Sequence, residues 1–93
     1  MQILSGVLVG GSVDGVDCAW IQEPSGRRVE VFWPDRWSIQ FDPLAVYDEK
    51  GIQVIRAGDA VSLSGYFAEV GASLCSGDAL FNAERVVSGG AAG

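Results

Sequence analysis

A chain of 93 residues holds one domain, and with 48% apolar residues it is not a disordered segment. Twelve acidic residues against six basic ones give a formal charge of −6, which disfavours DNA, RNA and anionic membrane surfaces, since those are held largely through Lys and Arg. The acidity reads as solubility. The absence of histidine removes the commonest general base and metal ligand, so Ser-His-Asp and Cys-His sites are excluded within this chain.

The apolar residues fall in short runs of Val, Ile, Leu and aromatics between glycines, a pattern of strands and turns rather than helices. Ile3 to Val9 reads as a first strand with a kink at Gly6, followed by a loop over Gly10-Gly11-Ser12 and Asp14-Gly15. Cys18 to Glu23 is the second strand. Glu23-Pro24-Ser25-Gly26-Arg27 then spells a type I turn followed by a left-handed glycine. That turn sets a register of Gln22 with Arg28, Ile21 with Val29, Trp20 with Glu30, Ala19 with Val31 and Cys18 with Phe32. The register sorts the faces, placing Ala19, Ile21, Val29 and Val31 on one side and Trp20, Gln22, Arg28 and Phe32 on the other.

Pro34 ends the third strand, and Trp33 and Trp37 beside it read as hinge packing. Trp37 to Phe41 is a short extended piece stopped by Asp42-Pro43. Leu44 to Tyr47 and Ile52 to Arg56 form a second hairpin, with Gly51 at its bulge. Val61, Leu63, Gly65 and Phe67 alternate with Ser62, Ser64 and Tyr66. This is a half-buried strand whose glycine marks a bend or a close backbone approach. Ala68 to Asp78 reads as a loop and Ala79 to Val87 as a last strand of unsettled phase. The domain spans 1–87, and 88–93 is a flexible Gly/Ala tail.

The bent first strand, the Pro24-Ser25-Gly26 hairpin and the Gly58-Asp59-x-Val61-x-Leu63-x-Gly65 strand entry together resemble the OB-fold, a five-stranded β-barrel that binds oligonucleotides or oligosaccharides. The expected fold is therefore all-β: a small five-stranded OB-like barrel with a hairpin inserted between strands three and four. An SH3-like barrel is the alternative. The resemblance also implies that the loops holding Cys18 and Cys75 lie at one end, which makes a disulfide between them credible. A buried Cys18 with an exposed, unpaired Cys75 stays open as the other reading.

No Walker loop, zinc spacing, dinucleotide fingerprint or calcium loop is present, so no metal or cofactor is expected. The carboxylates Asp14, Asp17, Asp42, Asp48 and Glu49 read as turn and surface residues. The resemblance places ligands on the outer face of strands two and three, where Trp20, Gln22, Arg28 and Phe32 are the candidate residues. Burial of that face under the inserted hairpin is weighed ahead of an open stacking platform. The expected function is a non-catalytic module that binds a protein or peptide through strands two and three and their rim loops, with homo-oligomerisation open. Small-ligand or oligosaccharide binding on the Trp20/Phe32 face comes second, single-stranded nucleic acid third, and an enzyme last. No segment is apolar enough to span a bilayer. The opening residues do not resemble a secretory leader, so the expected compartment is the cytoplasm, or outside it if a leader has been removed.

Overall fold

In the computed structural model, which describes residues 1–68, 75 and 77–89, the alternating runs become eight strands. They are β1 (Gln2–Val13), β2 (Val16–Gln22), β3 (Arg28–Phe32), β4 (Ser38–Phe41), β5 (Leu44–Tyr47), β6 (Gln53–Arg56), β7 (Ala60–Ala68) and β8 (Ala79–Gly89). Five of them close into a barrel in the order β1-β2-β3-β8-β7, and β4-β5-β6 make a separate three-stranded sheet. All pairings are antiparallel except β3 with β8. Among the described residues, no helix is long and apolar enough to cross a membrane.

The barrel closes because β1 serves two neighbours. Gln2–Val7 pairs with β7 and Val7–Val13 with β2. The switch falls at Val7, and at Gly6 just before it an added Cβ would run into the Gln22 carbonyl. Inside the ring, Leu4, Leu8, Ile21, Val29, Val61, Leu63, Phe81 and Ala83 form the core. Each fully buried Leu, Ile or Phe contributes about 1.5–3 kcal/mol. Phe67 meets Phe81 edge to face at 4.9 Å, and the Arg27 guanidinium lies 5.3 Å from the centre of the Phe67 ring. Arg27 also pairs with Glu23 across the hairpin turn. The hydrogen bond that Arg27 donates to the Glu23 carboxylate is the main cause of an Arg27 pKa above its usual range.

The inserted segment is larger than a hairpin. The extended piece before Asp42-Pro43 is recruited as β4, pairing Ser38–Phe41 with Leu44–Tyr47 across the turn at Asp42-Pro43. β5 and β6 then form the expected hairpin, with Asp48 Oδ1 accepting the amides of Lys50 and Ile52 and Gly51 at φ 79°. The sheet delivers Leu44, Val46 and Ile55 into the core cluster, so it is part of the barrel's packing and not an appendage.

Two stretches differ from the sequence expectation. Gly10-Gly11-Ser12 is strand, not loop, and the β1–β2 hairpin turns on Asp14 and Gly15 alone, both at positive φ. The glycines are there for room. A Cβ at Gly10 would sit 2.9 Å from Leu44, and one at Gly11 would sit 3.2 Å from the Trp20 indole. The phase of β8 is broken by two register shifts against β7. They lie at Glu84 and Val87, which have no opposite residue, and this is how Phe81, Ala83 and Val86 all face inward. The strand runs on to Gly89. Ser88 and Gly89, expected in the tail 88–93, are thus strand; residues 69–74 and 76 of the expected loop 68–78 and residues 90–93 of the tail lie outside the described residues.

Candidate functional site

The turn at Pro24-Ser25-Gly26 forms as its chemistry dictates. The Glu23 amide donates to the Arg27 carbonyl at 2.8 Å, the Gly26 amide donates to the Glu23 carbonyl at 2.8 Å, and Gly26 has φ 93°. The register follows, with Gln22 opposite Arg28, Ile21 opposite Val29 and Trp20 opposite Glu30. Ile21 and Val29 face the barrel core, so Trp20, Gln22, Arg28, Glu30 and Phe32 point outward.

Pointing outward does not leave Trp20 open. It is 4% exposed. Cys75 and Arg28 lie against it. Cys75 is joined to Cys18 by a disulfide, with Cα atoms 5.7 Å apart. The Trp20 Nε1–H donates to the Cys75 carbonyl at 3.1 Å, and the Cys75 amide donates to Glu30 Oε1 at 3.0 Å. The Arg28 guanidinium lies 4.8 Å from the centre of the Trp20 ring. Asp78 closes the strap: its amide donates to the Arg28 carbonyl at 2.8 Å, and its Oδ2 accepts the Arg28 amide at 2.9 Å. No indole face is free to stack, and the stacking platform drawn from the sequence is not formed. Trp20→Phe keeps an aromatic ring but removes the donor along with the five-membered ring that carries it. It should cost about 1 kcal/mol, read as a lower denaturant midpoint at unchanged slope.

The four candidate residues separate into three places. Trp20 and Arg28 lie under and beside the strap. Gln22 opens onto a shallow groove of about 350 Å³ with Gly6, Val7, Val9, Glu23 and Pro24, where β1 is already paired on both edges. Phe32, 41% exposed, borders a different depression of about 160 Å³, shared with Asp17, Ala19, Val31, Ile39 and Phe41.

That second depression exists because β2 and β3 part company. Pairing stops at Trp20 and Glu30, so Ala19 with Val31 and Cys18 with Phe32 are not ladder partners. This corrects the register drawn from the hairpin. On its other edge β3 pairs in parallel with β8 along its length from Val29 to Phe32, including Val31 with Phe81 and Phe32 with Asn82. Val16–Ala19 pairs with β1 on one edge, and among the described residues no strand pairs with the other. β4 is also an edge strand of its sheet, and its Ile39 and Phe41 line the depression. An unpaired edge beside exposed phenyl rings was not legible in the sequence. Nor was the parallel partner on the other edge of β3, which lies about fifty residues downstream.

Trp33 and Trp37 stack with centroids 6.1 Å apart, half-buried against the core, and the Trp37 Nε1–H donates to Glu49 at 2.9 Å. They act as packing at the turn into β4. Among the described residues, no group of three or more Cys, Asp or Glu is placed to hold a metal ion. Comparison with protein-family models, curated proteins and solved structures gave no match.

Proposed function

We propose that this protein is a non-catalytic binding module that takes an extended segment of a partner protein alongside the free edge of β2. The observation that carries the reading is the divergence of β2 and β3 beyond Trp20 and Glu30, which leaves one edge of Val16–Ala19 without a strand partner among the described residues. Unpaired strand edges are templates for another strand, and backbone hydrogen bonds to an added strand supply affinity without a deep pocket. The adjoining depression of about 160 Å³ suits one or two side chains. It falls short of the about 300–1,000 Å³ typical of small-molecule sites. Phe32 and Phe41, both exposed, would receive those side chains. The ring of five strands with an insert after the third supports the OB-like reading of the scaffold; the proposed occupant is a peptide, not an oligonucleotide.

The test is a titration of the isotopically labelled protein with short alternating Val/Thr peptides. Amide shifts should concentrate in Val16–Ala19 and Phe32–Phe41. The double variant Phe32→Ala/Phe41→Ala should weaken binding by about tenfold or more while holding the denaturant midpoint nearly constant, since exposed substitutions usually move stability by less than about 0.5 kcal/mol each. Shifts spread evenly over the barrel, or unaltered affinity in the double variant, would remove the reading.

A further inference from the structure

Resting on that reading, we propose that the peptide taken at the β2 edge carries a lysine or arginine, and that Glu30 is its receptor. Glu30 lines the same depression as Phe32 and Phe41. It is only 8% exposed, and its two oxygens have different fates. Oε1 accepts the Cys75 amide, whereas Oε2 is buried with no hydrogen-bond partner among the described residues. Native folds rarely leave a buried carboxylate oxygen unpaired, because desolvation without a partner is costly. Such a group is the mark of a site completed by something else.

The surrounding charges say what completes it. Asp17 also borders the depression, and no Lys or Arg is among its described lining residues. The nearest basic side chain on the same face, Arg28, is placed over the Trp20 ring. The ion pairs present are Arg27 with Glu23 and Arg56 with Asp59, so neither Glu30 nor Asp17 has a cation of its own among the described residues. The net charge of −6 adds long-range attraction for a basic segment. An apolar side chain on the phenyl rings and an ammonium or guanidinium on Glu30 would lie on one face of an added strand, two residues apart. The preferred partner is therefore an extended segment with alternating apolar and basic residues.

The probe is a set of alternating Val/Thr peptides with one Lys scanned through the Thr positions, each compared with versions bearing norleucine or Glu there. At one scan position, the Lys peptide should bind at least about tenfold more tightly than its norleucine counterpart, and the Glu peptide should bind weakest. Added salt should narrow that gap. Glu30→Gln keeps an acceptor for the Cys75 amide and should abolish the preference while still binding the norleucine peptide. Its denaturant midpoint and its amide spectrum around Cys75 should stay close to those of the parent. Equal affinity for Lys and norleucine peptides at every position overturns the role of Glu30 and leaves the strand-addition reading standing. Failure of every peptide to move the Val16–Ala19 amides overturns both. Concentration-dependent shifts of those amides without peptide would assign the edge to a second copy of the chain, and would equally overturn the proposal.

Discussion

Replacing Cys18 and Cys75 together by serine should lower the unfolding free energy by about 4 kcal/mol. The link joins residues separated by 57 positions, and a cross-link closing a loop of that size removes much of the freedom of the unfolded chain. A domain of this size has only about 5–15 kcal/mol to lose, so the variant should sit close to the threshold of folding at elevated temperature. The check is a pair of denaturant curves, oxidised parent against double-serine variant. The effect should have a second, local part. With the link gone, Cys75 keeps its hydrogen bonds to Trp20 and Glu30, and Asp78 keeps its two to Arg28. Trp20 should then become accessible to a neutral quencher before the barrel unfolds. Trp33 and Trp37, packed elsewhere, serve as the internal reference once Trp20→Phe identifies the signals. A variant that loses less than about 1 kcal/mol and keeps Trp20 shielded would show that the strap is fixed by its other contacts.

The strap also bears on the proposed site. Cys18 belongs to the free edge of β2, and Cys75 delivers its amide to Glu30. One covalent link therefore holds both walls of the depression, and its loss should reduce peptide affinity as well as stability. A binding edge needs rigid support, because every side chain left to order on association subtracts from affinity.

How much of this was legible beforehand follows the range of the interactions. Turn chemistry is local, so the hairpin at Pro24-Ser25-Gly26 and the bulge at Gly51 could be read from neighbouring residues, and the register from Trp20/Glu30 to Gln22/Arg28 came with them. The alternation of Val61, Leu63 and Gly65 likewise gave one face of β7. The glycines at 10 and 11 misled, because a glycine that makes room for Leu44 or for the Trp20 ring looks the same in sequence as one that turns a loop. The outward direction of Trp20 was legible, but its cover was not, since Cys75 lies 55 residues away from the indole it caps. The parting of β2 from β3 was hidden as well, because the turn chemistry at Pro24-Ser25-Gly26 speaks only for the pairs nearest it. The candidate site is thus the least readable part of the molecule: it lies beyond the reach of the local hairpin.

The second large effect concerns Gly65, whose place inside an alternating strand suggested close backbone approach. Gly65 pairs with Ala83 of β8 next to a register shift, and a Cβ built on it would overlap the Asn82 carbonyl oxygen and press on the Phe81 ring at 3.0 Å. Its φ lies outside the left-handed region, so the need is for space and not for a conformation barred to other residues. A carbonyl within a strand pair is backbone and cannot rotate aside. Gly65→Ala should therefore force β7 and β8 apart where they carry Leu63 and Phe81, and should cost about 3 kcal/mol or more. Gly51→Ala is the matched control. A Cβ there meets nothing within 4 Å, and only its φ of 79° opposes the change, for about 1–2 kcal/mol. Denaturant midpoints of the two variants, measured together, test the ranking. If Gly65→Ala proves as mild as Gly51→Ala, the β7–β8 ladder yields more readily than the packing of Phe81 implies. The closed barrel would then be a looser support for the β2 edge than its strand order suggests.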